Sequence, residues 1–349
     1  MDIANTENTE KKGINKNIII IIAAVAAVII AVVIAAVFMF GEKTYRVLKI
    51  YQVEGQASVV HNDGSEVTPY ENMLLQSGDQ ISLVEGTLII KADEDKYIYL
   101  ENNTTIVLEA DGTAANSKTS IQLLQGAVIN QIEEPLSEKS VYELNTQNAT
   151  MSVRGTVFRA EVFTVAPDED DAAVSDDNAV SDADGLSGGA GADTEQAVVY
   201  TTAQTIEGLV ETDLILEDGS SGNQKMQVGQ GNMVTIRQDS NETAYQGGVE
   251  SFDIGEFKSQ TLNYLGIINE NSDKDLGFTE DELQTYMEEA GPFTVTFMSS
   301  DDVVFGTVEV EKGEPVKEPL LMPTASGSWD FTFGNSVSEN TTIYWNAGK

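Results

Sequence analysis

The sequence contains no cysteine and a single histidine, His61. Without cysteine, the chain has no disulfide framework, no thiolate nucleophile and no cysteine-ligated metal site. A single histidine excludes a multi-histidine metal centre and leaves little room for a histidine-based catalytic triad. Because His61 lies next to a predicted turn, we expect its side chain to be exposed. The remaining possibilities are carboxylate chemistry, Ca²⁺ binding by oxygen ligands, or no chemistry at all.

Basic residues are also scarce. The chain has 19 Lys and Arg against 57 Asp and Glu, which gives a formal net charge of -38. Nucleic-acid phosphates would be repelled by such a chain, so nucleic acid is excluded as a partner. Carboxylates are so frequent that no pair stands out as a general acid and base. We therefore expect no enzyme activity and no cofactor.

One long apolar run, residues 18–40, contains 23 apolar residues in a row. As a helix rising about 1.5 Å per residue it spans roughly 34 Å, enough to cross a hydrocarbon core of about 30 Å. The sequence therefore predicts a transmembrane helix over 18–40, preceded by a short tail, 1–17. The alternatives are a buried soluble helix and a cleaved signal peptide, although the apolar region of a signal peptide usually has only about 7 to 15 residues.

Charges flanking this run do not decide its orientation. Three basic residues lie on each side of it: Lys11, Lys12 and Lys16 before it, and Lys43, Arg46 and Lys49 after it. The number of basic residues is therefore equal on the two sides, and the positive-inside rule assigns no orientation. We place the N-terminus in the cytoplasm, because a short tail, one anchor and a large acidic body are usual for an exported domain. The predicted protein is single-pass, with most of its chain extracytoplasmic.

From residue 44 to about 240 the pattern is that of short β-strands. Apolar and polar residues alternate with period two, and turn signals such as Asn62-Asp63-Gly64 separate the runs. No helix-period segment interrupts them, which favours antiparallel pairing in a sandwich, barrel or roll. The predicted fold class is mainly β.

The ordered segments of this region resemble the FecR-type domain, named for extracytoplasmic regulators of iron-citrate uptake. The matching segments are Gly55-x-Ala57-x-Val59, Leu75-x-x-Gly78-Asp79-x-Ile81, Gly86-Thr87-Leu88-x-Ile90, Ile98-x-Leu100-x-x-Asn103-x-x-Ile106-x-Leu108, Leu123-x-x-Gly126-x-Val128 and Thr146-x-x-Ala149-x-x-x-Val153-Arg154-Gly155-Thr156-x-Phe158. The family signature lies at Val153, Arg154, Gly155, Thr156 and Phe158. Gln147 departs from the family, which commonly has proline there, and this weakens the case for a fixed turn before Ala149.

Within the signature, an Arg-Gly pair interrupts an apolar strand pattern. Glycine inside a strand usually marks a bulge or a close backbone approach, so we expect a kinked core strand in which Gly155 cannot be replaced. Arg154 could bind a carboxylate or phosphate, since a guanidinium offers a fork of donors. The favoured alternative is that a neighbouring acid or backbone carbonyls hold it.

Residues 167–196 have a different composition. Between Asp168 and Glu195 there are ten acidic residues and no Lys or Arg. Such a segment has too little apolar surface to offset its ordering entropy, so the sequence predicts disorder. An EF-hand-like stretch from Asp182 to Gly185 lacks the earlier acidic ligand and the closing glutamate. Because β patterning resumes at Ala197, we interpret the segment as an insertion in one domain.

Residues 252–290 predict a helical connector. One piece runs from about 254 to 268, and a second begins at Thr279, whose spacing to Glu282 predicts a capping box, and ends before Gly291. Oxygen side chains between the two pieces have EF-hand spacing: Asn269, Asn271, Asp273, Asp275 and Glu280. Lys274 stands where such a loop needs glycine. The alternatives are a Ca²⁺ site and a solvated connection.

Residues 293–346 resemble a Listeria–Bacteroides or internalin-type B repeat, from Phe293-Thr294-Val295-Thr296-Phe297 to Thr341-Thr342-Ile343-Tyr344-Trp345. The resemblance implies a small β-grasp-like module of the kind found on bacterial cell surfaces. Both tryptophans of the chain lie here, and we expect them in the core of the module.

These features predict a non-enzymatic sensing or scaffolding protein that binds a protein or glycan partner at the bacterial envelope. In the FecR family the domain relays a signal to a cytoplasmic sigma factor. That part does not carry over, because a tail of residues 1–17 is too short to bury a core. The alternative is a structural or adhesive surface protein whose β domains act as spacers.

Overall fold

The computed structural model describes residues 46–113, 116–165, 198–216, 219–222, 224–238, 244–320, 323 and 326–347. The predicted tail 1–17, membrane segment 18–40 and acidic segment 167–196 all lie outside these residues. In the part that is described, no helix is both long and apolar enough to cross a membrane. The membrane anchor therefore stays a prediction.

The alternating segments form strands, as their period-two pattern predicts. The strands of the described residues are β1 (Leu48–Val60), β2 (Glu66–Val67), β3 (Asp79–Ala92), β4 (Lys96–Leu100), β5 (Thr104–Thr113), β6 (Asn116–Ile132), β7 (Val141–Asn145), β8 (Ala149–Val153), β9 (Val157–Val165), β10 (Val198–Glu207), β11 (Leu209–Leu214), β12 (Met226–Gly229), β13 (Asn232–Gln238), β14 (Ala244–Gln246), β15 (Glu250–Ser251), β16 (Phe293–Ser299), β17 (Val304–Val310), β18 (Gly327–Trp329) and β19 (Thr341–Ala347). The helical elements are a 3₁₀ turn (Ile254–Glu256), α1 (Ser259–Asn271) and α2 (Glu280–Ala290). The prediction of a mainly β fold is confirmed.

Strands β1 to β15 form one bonded sheet that folds into two facing layers. Layer 1 contains β5, β7, β8, β11 and β12, whereas layer 2 contains β4, β9, β10 and β13. The long strands pass between the layers: the first half of β3 pairs with β5 and its second half with β4. The main apolar core draws Ile81 and Ile121 from layer 1, and Ile98 and Val128 from layer 2. Burying this core holds the two layers together.

Glycines allow the long strands to change layer. Gly55 of β1 lies opposite Gly86 of β3, with φ angles of 92° and 117° respectively. A Cβ on Gly55 would lie 2.2 Å from the Glu85 backbone oxygen, and one on Gly86 would lie 2.1 Å from that of Glu54. Only glycine tolerates both the positive φ and this approach of the two backbones.

Most strand pairs are antiparallel, as predicted, but β7 is parallel to β6. Residues 133–140 carry the chain from the end of β6 back beside its start, so that Val141 pairs with Lys118. The chain therefore enters β7 in the same direction as β6. The local sequence of this short return contains no helix-period signal of the kind that usually marks a parallel crossover.

The helical segment covers the outer face of layer 2. Ile89, Tyr99 and Ile129 of the sheet share a buried cluster with Leu262 and Leu265 of α1. The second half of β6 is therefore buried on both faces, which explains why apolar and polar residues do not alternate along it. The segment predicted as a helical connector therefore forms a third layer, packed on layer 2.

A buried ion pair fastens α1 to the sheet. Arg159 of β9 donates to both carboxylate oxygens of Glu101, at 2.7 and 2.9 Å, and Thr261 of α1 donates to the same carboxylate at 2.8 Å. Burial acts to raise the pKa of Glu101, but the charge and hydrogen bonds of Arg159 outweigh it and lower that pKa below its usual value. The carboxylate is therefore held ionised inside the structure.

The C-terminal strands form a separate four-stranded sheet in the order β17, β16, β19, β18, with the two central strands parallel. Trp329 and Trp345 lie in its core, edge to face, with ring centroids 5.2 Å apart. Their predicted core placement is confirmed. Glu311, just after β17, accepts a hydrogen bond of 2.7 Å from the Ser259 hydroxyl at the start of α1, so this sheet is tied to the helices.

The acidic segment begins and ends in one hairpin. Val165 at the end of β9 pairs directly with Val198 at the start of β10. Phe163, two residues before Val165, and Tyr200, two residues after Val198, stack their rings with centroids 5.1 Å apart. Both flanks of the acidic segment therefore belong to layer 2.

Candidate functional site

The family signature forms the passage from β8 in layer 1 to β9 in layer 2. Val153 and Phe158 are buried in the main core at its two ends. Between them, the Thr156 hydroxyl donates to the Leu209 carbonyl at 3.2 Å, and the Thr156 carbonyl accepts from the Ile132 N–H at 3.1 Å. The signature is thus bonded on both sides, as expected of an architectural element.

Gly155 makes this passage possible. Its φ is 118°, and a Cβ built on it would lie 3.2 Å from the Cα atom of Pro135. On the neighbouring chain, a Cβ on Gly208 would lie 3.0 Å from the Gly155 carbonyl oxygen. The close backbone approach that the sequence predicts at Gly155 is therefore present, and the 133–136 segment supplies it.

Arg154 lies at the apex of the passage with its side chain exposed. Its carbonyl accepts from the Leu136 N–H at 3.4 Å. No described residue gives its guanidinium a hydrogen bond or an ion pair. The expectation that a neighbouring acid or backbone carbonyls hold Arg154 therefore stays a prediction. Burial alternates along β8 up to the buried Val153, so the next residue, Arg154, lies on the solvent side.

The exposed Arg154 lines a cleft of about 620 Å³ on the solvent-facing side of layer 1. We call it the signature cleft. Its lining residues are Ser140, Val141, Tyr142, Glu143, Ser152, Val153, Arg154, Gly155, Thr156, Gly208, Leu209, Glu211 and Gln227. Strands β7, β8, β11 and β12 supply most of these residues, so the cleft floor is rigid sheet.

A row of polar side chains crosses the floor of the signature cleft. Ser152 of β8 pairs with Glu143 of β7 on one side and with Glu211 of β11 on the other. Glu211 accepts an ion-pair bond of 2.6 Å from Lys225, and this hydrogen bond raises the pKa of the lysine. The cleft thus offers, at one end, a guanidinium that no described residue pairs, and carboxylate acceptors along its floor.

A buried turn precedes β8 despite the departure at Gln147. The Thr146 N–H donates to the Ala149 carbonyl at 2.8 Å. The Thr201 hydroxyl donates to the Asn148 side-chain oxygen at 2.6 Å, and Asn148 is fully buried. Polar side chains therefore fix this turn in place of the family's proline.

His61 is not exposed as expected. Its Nδ1 atom lies 3.0 Å from an oxygen of the fully buried Asp79, and only 20% of its side chain is exposed. Asp79 begins β3, which a single sequence cannot place beside the His61 turn. The pair anchors this turn on the sheet, away from the signature cleft.

The residues with EF-hand spacing are distributed over different elements. Asn269 and Asn271 belong to the last turn of α1, whereas Glu280 begins α2. Asp275 accepts a hydrogen bond of 3.0 Å from the Gly277 N–H, and Asp273 lies in the intervening loop. Across the described ranges, no three His, Cys, Asp or Glu side chains are grouped as metal ligands. The capping box predicted at Thr279 is confirmed.

Comparison with known proteins supports the FecR resemblance. A family model described as FecR protein matches residues 84–175, a stretch that contains the signature. The resemblance is therefore confirmed over that stretch, whereas the B-repeat resemblance of the C-terminal sheet stays a prediction. No curated protein matches the chain.

Two solved structures are similar to this chain. Both are crystal structures of a "putative anti-sigma factor" from Parabacteroides distasonis ATCC 8503, at 1.65 Å and 2.50 Å resolution. Each is 10% identical, covers 77% of this chain and 99% of its own chain, and has a TM-score of 0.34.

Proposed function

We propose that this chain is a non-enzymatic, membrane-anchored extracytoplasmic protein that senses or scaffolds by binding a protein or glycan partner in the signature cleft. The observation that carries the proposal is the exposed guanidinium of Arg154 in that cleft, for which the described part of the chain supplies no partner. The FecR match, which contains Arg154, supports a sensing role.

The chemistry of the cleft favours recognition. A guanidinium binds carboxylate or phosphate groups through parallel N–H donors. Glu143 and Glu211 add acceptors that suit the hydroxyl groups of a glycan or the N–H groups of a peptide. Because the chain has a net charge of -38, an anionic group is repelled by most of the surface, and Arg154 gives it one place to bind.

Arg154→Ala tests this proposal. The full chain, in detergent, is used to capture partners from envelope extract, and each captured partner is purified and titrated. A charge-assisted hydrogen bond contributes about 1.5–3 kcal/mol, so we expect affinity to fall about tenfold to a hundredfold. The control is Lys317→Ala, which removes an exposed cation outside the cleft. Equal affinity of both variants, at unchanged melting temperature, would contradict the proposal, as would weak binding spread over many glycans.

A second candidate is a structural or adhesive spacer. It is favoured by the hydrogen bonds that tie α1 to both sheets. Thr261 donates to Glu101 of the large sheet, and Ser259 donates to Glu311 beside the C-terminal sheet. Such ties suit a stiff unit that holds its ends apart. The spacer would be supported if variants of the signature cleft left every binding measurement unchanged, while loss of the Glu311 bond changed cell adhesion.

A further inference from the structure

Four exposed apolar side chains lie near the start of the described chain. Val47, Tyr51, Tyr70 and Leu74 are 42%, 48%, 66% and 68% exposed. The segment containing Tyr70 and Leu74 is bonded along β1, since the Ile50 N–H donates to the Met73 carbonyl at 2.9 Å. We call these four residues, with Lys49 and Lys91, the anchor-proximal patch.

Lysines lie among these apolar and aromatic residues. Lys49 pairs with Leu74 in an isolated bridge and with Lys91 across β1 and β3. The Lys91 ammonium lies 5.1 Å from the centroid of the Tyr97 ring, and that ring contacts Tyr51 edge to face at 5.5 Å. Two cations and several tyrosines therefore share one surface of an acidic protein.

Two acidic residues also lie at this surface. Glu71 is exposed between Tyr70 and Asn72, and the 93% exposed Glu94 lies 3.5 Å from Lys91. Tyrosine and lysine are the residues that favour the boundary between hydrocarbon and headgroups, because their apolar parts are buried while their polar ends reach water or phosphate. Their composition here is that of a membrane-contacting surface.

The chain length brings this surface within reach of a bilayer. The predicted membrane segment ends at Phe40, and the described domain begins at Arg46. Arg46 is fixed to the domain by an ion pair of 2.6 Å with Asp93 and a hydrogen bond of 2.7 Å to Thr119. Six residue steps of at most 3.3–3.6 Å span about 20 Å, so Val47 cannot be far from the headgroups.

We propose that the anchor-proximal patch lies on the headgroup region of a phospholipid bilayer, with Tyr51, Tyr70 and Leu74 at the interface. Lys49 and Lys91, which are both half-buried, then turn their ammonium groups toward anionic lipid phosphates. This proposal rests on the membrane anchor of the proposed function, but not on partner binding in the signature cleft. Contact with the bilayer would fix the orientation of the signature cleft relative to the membrane.

The absence of cysteine allows a direct test. In the full chain, Leu74→Cys provides one site for a fluorescent label, and Leu124→Cys is the matched control. Leu124 is 44% exposed on the solvent-facing side of β6 in layer 1. Both proteins are reconstituted in nanodiscs of phosphatidylcholine with phosphatidylglycerol. Quenching is measured with lipids that carry a nitroxide at the headgroup and, separately, with aqueous iodide.

We expect headgroup nitroxide to quench the Leu74 label at least threefold more than the Leu124 label, and iodide to quench it correspondingly less. Lys49→Gln with Lys91→Gln, or discs without phosphatidylglycerol, should reduce this difference. Equal quenching of the two labels by both reagents would overturn the proposal. Protection from iodide that persists in detergent and rises with protein concentration would also overturn it, since a second copy would then cover the patch.

Failure of the chain to enter the discs would overturn the anchor and this proposal together. Partner binding through Arg154 is measured separately in the same discs, so the two proposals can fail independently.

Discussion

Replacing Gly155 tests whether the signature is chiefly a passage between the two layers. Gly155 has a φ of 118°, and a side chain forced to keep such a backbone conformation costs about 1–3 kcal/mol. A Cβ would also lie 3.2 Å from the Pro135 Cα atom, a backbone atom that can move only with its whole segment. We therefore expect Gly155→Ala to lower the free energy of unfolding by about 1–3 kcal/mol.

Gly155→Val should cost more, because its two methyl groups add overpacking of about 1–3 kcal/mol. The sum is about 2–6 kcal/mol, a large share of the stability of an ordinary domain. At roughly 2–4 °C per kcal/mol, the melting temperature should fall by at least about 4 °C. Far-UV circular dichroism follows the large sheet, while emission from Trp329 and Trp345 follows the C-terminal sheet separately.

Gly229→Val is the matched control for this series. Gly229 lies in β12, and a Cβ on it would meet no atom within 4 Å. Glycine inside a strand is less stable than alanine by about 0.5–1 kcal/mol, and β-branched residues favour strands. The control should therefore melt at or above the wild-type temperature. Our account of Gly155 would be refuted if Gly155→Val melted within about 1 °C of wild type.

Two further substitutions test how the helices are attached. Glu101→Gln removes the carboxylate that accepts two hydrogen bonds from the buried Arg159, while Glu161 stays 2.8 Å from the guanidinium, so the loss should be about 1.5–3 kcal/mol. Because the folded pKa of Glu101 is lowered, its contribution is present at neutral pH and is lost as the pH falls through that lowered value. Thermal melts from pH 7 to pH 2 should thus show a weaker loss of stability in acid for this variant than for wild type, and parallel curves would contradict the ionised pair. Glu311→Ala removes the carboxylate that accepts from the Ser259 hydroxyl and N–H at the start of α1, and losing such a cap costs about 1 kcal/mol. Amide exchange in the first turn of α1 should accelerate about fivefold, and unchanged exchange would show that Glu311 does not hold the helix.

Much of the fold could be predicted because the relevant signals are local. Period-two alternation gave the strands, the Thr279 capping box gave the start of α2, and glycine in the signature indicated the kink at Gly155. The turn signals between strands did not reveal that β7 lies parallel to β6, because a short return loop has no distinctive composition.

The signature cleft could be predicted only in part. The family resemblance singled out Arg154, but its exposure within a cleft depends on which strands lie beside it. The side chains across the floor, such as Glu143 and Glu211, come from strands β7 and β11, which meet at Ser152 only through pairing with β8. Residue spacing along the chain contains no information about these neighbours.

The sequence by itself determined the acidic balance, the absence of cysteine chemistry, the apolar run at 18–40, the β patterning and the FecR signature, since each depends on residue type and spacing alone. Tertiary structure decided which of these residues face solvent. It left Arg154 exposed, buried Asp79 beside His61 and placed the helices on layer 2. The physical reason is that burial and partnership arise from long-range strand pairing, which brings together residues far apart in sequence.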